Sequence, residues 1–393
     1  MNIVNSVVSS ILVFITMFSL PTYNYNESKG TEKGIDTGSI ELKHNVKSAY
    51  LIEAQTGEVL FSKDEEESNA IASVTKVMTL LLVMEALNEG CFKLDDTVII
   101  SKNAASMGGS QVFLEEGESI SVEELIKCAV IASANDASVA LAELVSGSES
   151  TFVRKMNDKA KQLGLVNTYF ENTTGLDDTT VNHHSCSKDI ATISRELIKY
   201  DIITKYSSIW QDSIRNGEMV LTNTNRLIRY YDGCNGLKTG STDKAGFCIT
   251  VTAKRGNMQL IAVVLGAKTK DERNATAVEL MDYGFANFAL YESGGVYVES
   301  SPVYGGTQDN AAMYSTEFKK VVQKPMLPKI EVTYEIPEYL IAPFMANDTV
   351  GKIIYSINEE VIGESNIYVK DDVAKITLFQ VITRILSKII VGK

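Results

Sequence analysis

Positive charge is in short supply in this chain. Its 37 lysines and arginines face 50 aspartates and glutamates, a formal net charge of −13, and basic residues gather only near the C-terminus. Neutralising a phosphate backbone requires clustered Lys and Arg, so nucleic acid is excluded as a partner. Histidine is scarcer, with 3 residues in all. His183 and His184 are adjacent, poorly placed to chelate one ion, and His-Glu-x-x-His does not occur, so a zinc peptidase is unsupported and no metal or cofactor is expected. Gly-x-Ser-x-Gly is also missing, which removes the elbow of a Ser-His-Asp hydrolase. The five cysteines, Cys91, Cys128, Cys186, Cys234 and Cys248, are odd in number and lack metal-ligand spacing. A chain of 393 residues can bury a core without staples, so they are expected to be small buried apolar residues.

Against these absences stands Ser73-Val74-Thr75-Lys76, which opens an apolar run continuing through Met84. Residues three apart share a helix face, so a hydroxyl and an amine are placed together, the layout of a serine nucleophile with a lysine base. The run Val77, Met78, Leu80, Leu81, Leu82, Val83, Met84 predicts a helix buried nearly all round. Ser73 would then sit where unpaired backbone N–H groups and the positive helix end favour negative charge. Taken alone, the tetrad reads first as an N-cap serine beside a solvated lysine. Downstream, in order, come Ser133-Ala134-Asn135 and Lys238-Thr239-Gly240. Each is unremarkable singly, a polar interhelical turn and a strand entry; jointly they form the ordered set shared by class A β-lactamases and penicillin-binding proteins.

The flanking runs Ile71-Ala72-Ser73, Gly109-Ser110-Gln111-Val112-Phe113-Leu114, Ser133-Ala134-Asn135-Asp136-Ala137, Asn172-Thr173-Thr174-Gly175-Leu176 and Asp282-Tyr283-Gly284-Phe285 narrow the match. With them the chain resembles the serine D-alanyl-D-alanine carboxypeptidases, the low-molecular-mass penicillin-binding proteins, over roughly Lys47 through Lys375. It departs from their pattern at Ala134, where glycine is frequent, and at Ser241. A class A β-lactamase would need a glutamate to activate the deacylating water, and no Glu-x-x-Leu-Asn lies between Ser133 and Lys238.

Along the chain, Ala49 to Phe61 reads as two strands reversing at Gln55-Thr56-Gly57. Helical patterns dominate from Val74 to Leu144 and from Phe152 to Leu163. Phe247 to Ala253 and Leu260 to Ala267 form an antiparallel ribbon across Arg255-Gly256-Asn257, and a helix is expected from Glu272 to Tyr291. This order implies a sheet built from both chain ends around a helical insert, with the site where the two meet. The expected fold is α/β (α+β): a β-lactamase/transpeptidase-like antiparallel sheet with a helical insert, a small β-rich domain and a C-terminal amphipathic helix. The boundaries read as an export segment over 1–22, a linker over 23–40, a catalytic domain over 41–293, a β-rich domain over 294–374 and the helix over 375–393. The export reading rests on Ile11 to Ile15 with Met17, Phe18 and Leu20, although no Lys or Arg precedes them and no Ala-x-Ala follows. Ile376, Phe379, Ile382, Leu386 and Ile389 make an apolar stripe among Lys375, Arg384, Lys388 and Lys393, the pattern of a membrane-surface helix; a helix docked on its own β domain is the alternative.

The chemistry of acyl transfer distributes the roles. Ser73 is expected as nucleophile, Lys76 as base with its pKa lowered by burial and by Lys238, and Ser133 as the proton relay to the leaving amine. Asn135 would orient Lys76 and hold the substrate backbone. Gly240 would let a bound peptide lie against the strand. The resemblance implies that Lys238 and Thr239 bind the terminal carboxylate, although strict alternation sends them to opposite faces and a twist is needed. Backbone N–H groups of Ser73 and Ser241 would form the oxyanion hole, and Arg273 would add a second cation. The function implied is removal of the terminal D-alanine from peptidoglycan stem peptides at the outer face of the cytoplasmic membrane, with β-lactams as inhibitors. A β-lactam sensor without turnover and a D-alanyl endopeptidase are the alternatives.

Overall fold

The computed structural model describes residues 40–177, 180–295 and 297–391. The export segment and nearly all of the linker lie outside them. Strand β1 (Ser48–Glu53) is buried along its length, so its apolar residues run on without alternation. It reverses through Gln55-Thr56-Gly57, where the Glu53 carboxylate accepts the N–H groups of Gln55 and Thr56 and Gly57 takes a φ of 76°, into β2 (Val59–Lys63). A 3-10 turn over Ala72–Thr75 leads directly into α1 (Lys76–Asn88), which is buried on nearly every side, as its apolar run requires.

The insert continues with the ribbon of β3 (Thr97–Ile99) and β4 (Ser119–Ser121) around the short α2 (Lys102–Ala105). Helix α3 (Val122–Ile131) starts from a reciprocal capping box between Ser121 and Glu124. Helix α4 (Asn135–Ser146) stops at Gly147, left-handed at φ 73°, and α5 (Glu149–Gln162) restarts from the Ser148 side chain. Then come α6 (Ser187–Leu197), α7 (Asp201–Ser207), the hairpin of β5 (Gln211–Ile214) and β6 (Met219–Thr222), and α8 (Leu227–Tyr230).

Strands β7 (Cys234–Thr242), β8 (Gly246–Arg255) and β9 (Met258–Ala267) complete an antiparallel sheet of order β2-β1-β9-β8-β7. The first strand thus pairs with the ninth, Ser48 opposite Leu265, and the chain ends of this region close on each other. The two faces are covered differently. The insert lies on one, where Ser187 of α6 bonds Ser48 and Ser194 bonds Thr250. Helix α9 (Lys270–Asn287) lies on the other, with Gly284 seated so closely that a Cβ there would meet Leu260 at 2.5 Å and Leu51 at 3.1 Å.

The expected helix from Glu272 to Tyr291 ends early. It stops at Asn287, and Phe288–Ser293 form β10, in which Phe288 and Leu290 are buried with period two. β10 pairs with β13 (Phe318–Gln323), not with the catalytic sheet, so the chain changes sheets at Phe288 although the glycine pair Gly294-Gly295 reads as the boundary. Between them lie β11 (Tyr297–Tyr304) and β12 (Asn310–Ser315). β14 (Ile330–Glu335), β15 (Leu340–Ile341), β16 (Thr349–Ile357) and β17 (Glu360–Val369) follow, giving a six-stranded sheet of order β14-β16-β17-β12-β11-β15. Its own small core holds Met313, Ile353, Tyr355, Ile367 and Val369, with Phe318 stacked on Tyr355 at 4.1 Å. Glu58 of the catalytic region reaches this part of the chain, pairing with Lys320 at 3.2 Å and accepting the Val321 N–H.

Helix α10 (Leu378–Val391) is capped reciprocally by Thr377 and Gln380. Its Arg384 bonds Asp309 and the Thr307 carbonyl, so a polar side of the helix faces the β sheet. Leu378, Phe379 and Ile389 are 77%, 76% and 71% exposed. The helix is thus docked on the β domain through Arg384, with Leu378, Phe379 and Ile389 left exposed.

Candidate active site

The Ser73 turn, the start of α4, the 172–176 loop and β7 converge on one buried amine. Lys76 Nζ lies 2.9 Å from Ser73 Oγ, 2.6 Å from Asn135 Oδ1 and 3.0 Å from the Thr174 carbonyl oxygen. Lys76 is fully buried, and burial, followed by the charge of Lys238, holds its pKa well below the usual lysine value, with Asp136 opposing. The partners matter by type. A neutral amine has two N–H groups and one lone pair, and Asn135 Oδ1 and Thr174 O can only accept. In its neutral form Lys76 has its lone pair left for Ser73 Oγ–H; in its protonated form it donates to all three oxygens. Asn135 is fixed in this orientation because its Nδ2 donates to the Gly108 carbonyl at 2.7 Å.

Asp136, the next residue, is buried and accepts N–H groups from Val112, Leu114 and Ala137. It ties the Ser110–Leu114 segment to the first turn of α4, where the helix dipole favours a carboxylate. Arg215 holds the same segment from the other side through the Val112 and Phe113 carbonyls. Ser133 precedes α4 with a φ of 61°, uncommon for a residue with a Cβ. Its hydroxyl lines the cleft beside Ser73. No hydrogen bond joins Ser133 to Lys76 among the described residues.

β7 carries the third motif, Lys238-Thr239-Gly240. Lys238 lies beneath the cleft, with Nζ donating to the Thr239 carbonyl at 2.7 Å, while Thr239 and Ser241 line the cleft itself. Lys238 is buried, and its charge lowers the pKa of Lys76. Burial, followed by Arg273, brings the pKa of Lys238 itself down to about 7. Gly240 has a second reason beside the one expected. A Cβ there would meet Ile71 O and Ser73 N at 2.8 Å and Val74 N at 2.9 Å, so the glycine also lets the strand close onto the Ser73 turn. Arg273 is only 5% exposed; its Nε and Nη2 donate to Asn274 Oδ1 at the cleft edge, and burial leads the effects that bring its pKa to about 10.

Sequence reasoning missed a second layer. Thr174 contributes a backbone carbonyl, which no side chain announces. Gly175, at φ 78°, packs against the turn so closely that a Cβ would meet Ala72 O at 1.8 Å. His183 is buried, its Nδ1 accepting from Glu171 N and its Nε2 2.7 Å from Thr75 Oγ1. That pairing makes Nε2 the donor, and burial brings the ring's pKa to about 4, so it joins loop and turn as a neutral strut. Thr224 bonds Thr239, and Asn225 Nδ2 donates to the Gly236 carbonyl, fixing the loop before α8 against β7. The signal available was the alternation Asn223-Thr224-Asn225, whose short amides suit backbone clamps. The cysteines are all free; Cys128, Cys186 and Cys248 are buried as expected, Cys234 is partly so, and Cys91 is exposed. The cleft measures about 580 Å³.

Two family models match the chain: D-alanyl-D-alanine carboxypeptidase over residues 36–269 and the C-terminal domain of penicillin-binding protein 5 over residues 285–375. The chain is 44% identical to D-alanyl-D-alanine carboxypeptidase DacF of Bacillus subtilis, across 85% of this chain and 87% of that one. It superposes on penicillin-binding protein 5 of Haemophilus influenzae with a TM-score of 0.74 at 29% identity, covering 86% of this chain and 100% of that one. Penicillin-binding protein D2 of Listeria monocytogenes, in its ampicillin-bound form, matches with a TM-score of 0.58 at 30% identity, over 63% of this chain and 100% of that one.

Gly175→Ala is expected to cost about 1–3 kcal/mol more in urea unfolding than Gly164→Ala, because both sites have positive φ but only Gly175 also meets an overpacked neighbour. Equal costs would remove the close-packing argument.

Proposed function

The chain belongs to the D-alanyl-D-alanine carboxypeptidase family, and from that premise we propose that it releases the terminal D-alanine of peptidoglycan stem peptides through an acyl-enzyme on Ser73. The observation that carries this reading is the environment of Lys76, whose two acceptor-only partners leave its lone pair for Ser73. As Ser73 Oγ attacks the penultimate D-alanine carbonyl, its proton passes to Lys76 Nζ. Charge develops on the carbonyl oxygen against the N–H groups of Ser73 and Ser241. The C–N bond breaks, the leaving nitrogen takes its proton by way of Ser133, and water then hydrolyses the ester.

Thr239, Ser133 and Arg273 hold the terminal carboxylate, and Lys238 contributes charge from below. A lysine with an ordinary pKa of about 10.4 would be protonated at neutral pH and useless as a base. Burial and Lys238 supply the shift that chemistry needs. The second N–H of Asn135 Nδ2 is left to hold the acyl side of the substrate. A β-lactam offers Ser73 a strained carbonyl in the same setting, so acylation by penicillins is part of this proposal; the ampicillin-bound Listeria relative supports it.

The same reading puts the enzyme in the cell wall space, held at the membrane surface by α10. The exposed Leu378, Phe379, Ile382 and Ile389 support this, since an amphipathic helix buries such a face at a lipid interface. No described helix is long and apolar enough to cross a membrane.

With diacetyl-Lys-D-Ala-D-Ala, the wild-type protein is expected to liberate D-alanine, and Ser73→Ala is expected to lose at least about a thousandfold in rate; no release by wild type, or undiminished release by the variant, would sink the proposal. The pH profile of kcat/KM should be bell-shaped. It rises as Lys76 loses its proton and falls as Lys238 loses its own near pH 7. Lys238→Arg, which stays charged, should flatten the falling limb even at reduced height; an unchanged limb would assign it elsewhere. Deleting residues 376–393 should give an enzyme found in the soluble fraction with its D-alanine release intact, and retention of that truncation in the membrane after removal of residues 1–22 would overturn the role of α10.

A further inference from the structure

The hairpin of β5 and β6 lines the cleft at its root, where Trp210 precedes β5 and Thr222 ends β6. Its tip grips a different part of the same cleft. There Arg215, Asn216 and Gly217 turn with φ of 53°, 55° and 93°, and left-handed backbone at two residues with a Cβ persists only where contacts hold it. Arg215 makes those contacts. Its backbone N–H donates to Glu124 Oε1 at 3.1 Å, and its Nε and Nη2 fork onto the Glu118 carboxylate at 2.7 and 2.9 Å. Nη1 and Nη2 also donate to the Val112 and Phe113 carbonyls, both at 3.0 Å. The gripped stretch, residues 107–118, has neither helix nor strand. It carries Ser110, which lines the cleft. From its other side it is held by the first two residues of α4: the Asn135 N–H donates to the Ser110 carbonyl at 2.7 Å, and Asp136 accepts the N–H groups of Val112 and Leu114. The Asn135 amide is caught between this stretch and the base, with Nδ2 on the Gly108 carbonyl at 2.7 Å and Oδ1 on Lys76 Nζ at 2.6 Å. A Cβ on Gly109 would meet that Nδ2 at 2.8 Å, so the amide has no room to turn while the stretch is in place.

We propose that Arg215 is a positioning residue for acyl transfer: by tying the β5–β6 hairpin to residues 108–114 it holds that stretch against α4 and keeps the Asn135 amide turned to Lys76. This rests on the reading of Lys76 as the base for Ser73. The residue type fits the role. A guanidinium has five donors in a rigid fork, enough for one carboxylate and two carbonyls at once, which an ammonium cannot match. Arg215 acts through contact, because the charged groups that act on Lys76 are Lys238 of β7 and Asp136 of α4, and the His183 ring bonded to Thr75 is neutral. Without the fork, residues 108–114 are held from one side only. Water then reaches the amine, and the burial that leads the lowering of its pKa weakens. Asp136 loses N–H donors in the same event, which strengthens its pull on a protonated Lys76. Both changes favour the protonated amine, so the limb on which the rate rises with pH moves to higher pH.

The test follows the rate of Ser73 labelling by a fluorescent penicillin against pH, alongside urea unfolding, for wild type, Arg215→Gln, Arg215→Lys and Arg195→Gln. Arg195 is the matched control: it too grips two consecutive carbonyls, those of Ala54 and Gln55 at 2.7 Å each, but at the reversal between β1 and β2. Arg215→Gln is expected to move the rising limb up by at least about half a pH unit, a loss of about threefold in rate along that limb, with Arg215→Lys between it and wild type. Arg195→Gln is expected to lower the urea midpoint and leave the limb in place. A limb that stays put in Arg215→Gln, whatever its stability, makes Arg215 a structural residue and overturns the proposal, as does an equal shift in Arg195→Gln. Should Arg215→Gln fail to fold, Glu118→Gln decides: it weakens the fork and leaves the carbonyl contacts, so a smaller shift in the same direction supports the role and none refutes it. Absence of labelling in wild type at every pH would instead remove the reading of Ser73 and Lys76, and the positioning role with it.

Discussion

Everything at this site is arranged around one buried amine. A lysine out of water is costly when charged, and Lys76 is out of water entirely. The fold surrounds the amine with three oxygens within 3.0 Å, while burial and the charge of Lys238 lower its pKa. None of the three contributing segments is adjacent in sequence. The helix start supplies Lys76, the turn after α3 supplies Asn135, and the 172–176 loop supplies Thr174. Catalytic competence is therefore a property of how these segments are packed.

The packing is enforced by small residues and by neutral struts. Gly175 and Gly240 press the loop and the strand against the Ser73 turn from two sides, each at distances that a methyl group would violate. His183 bridges loop and turn without carrying charge, which suits a place that already holds two lysines. Asp136 supplies the compensating negative charge where a helix N-terminus and three backbone N–H groups stabilise it.

The sequence made the side-chain chemistry legible and left the backbone chemistry hidden. Ser73, Lys76, Ser133, Asn135 and Thr239 meet because their motifs are written in side chains at helical or strand spacing. Thr174 acts through a carbonyl, and a carbonyl has no letter. Lys238 and Gly240 are legible as residues, while the closeness of Gly240 to the Ser73 turn needs the tertiary contact. β10 was absorbed into α9 because Phe285, Phe288, Ala289 and Leu290 satisfy a helical stripe as well as a period of two. Only the partner strand β13, thirty residues on, decides between them. The outward-facing apolar side of α10 follows from its period, whereas the tether from Arg384 to Asp309 needed the tertiary contact.

The sheet order has one consequence for the order of events in time. β1 is made first yet lies between β2 and β9, and the Ser73 turn is closed only by Gly240 of β7. A chain that emerges N-terminus first, from a ribosome or through a translocation pore, carries its nucleophile long before it has a cleft. The sheet's pairings span more than half of the chain and cannot form until Ala267 has followed. The hydroxyl and the amine of Ser73-x-x-Lys76 are made together, but the cleft around them exists only once the whole region has followed.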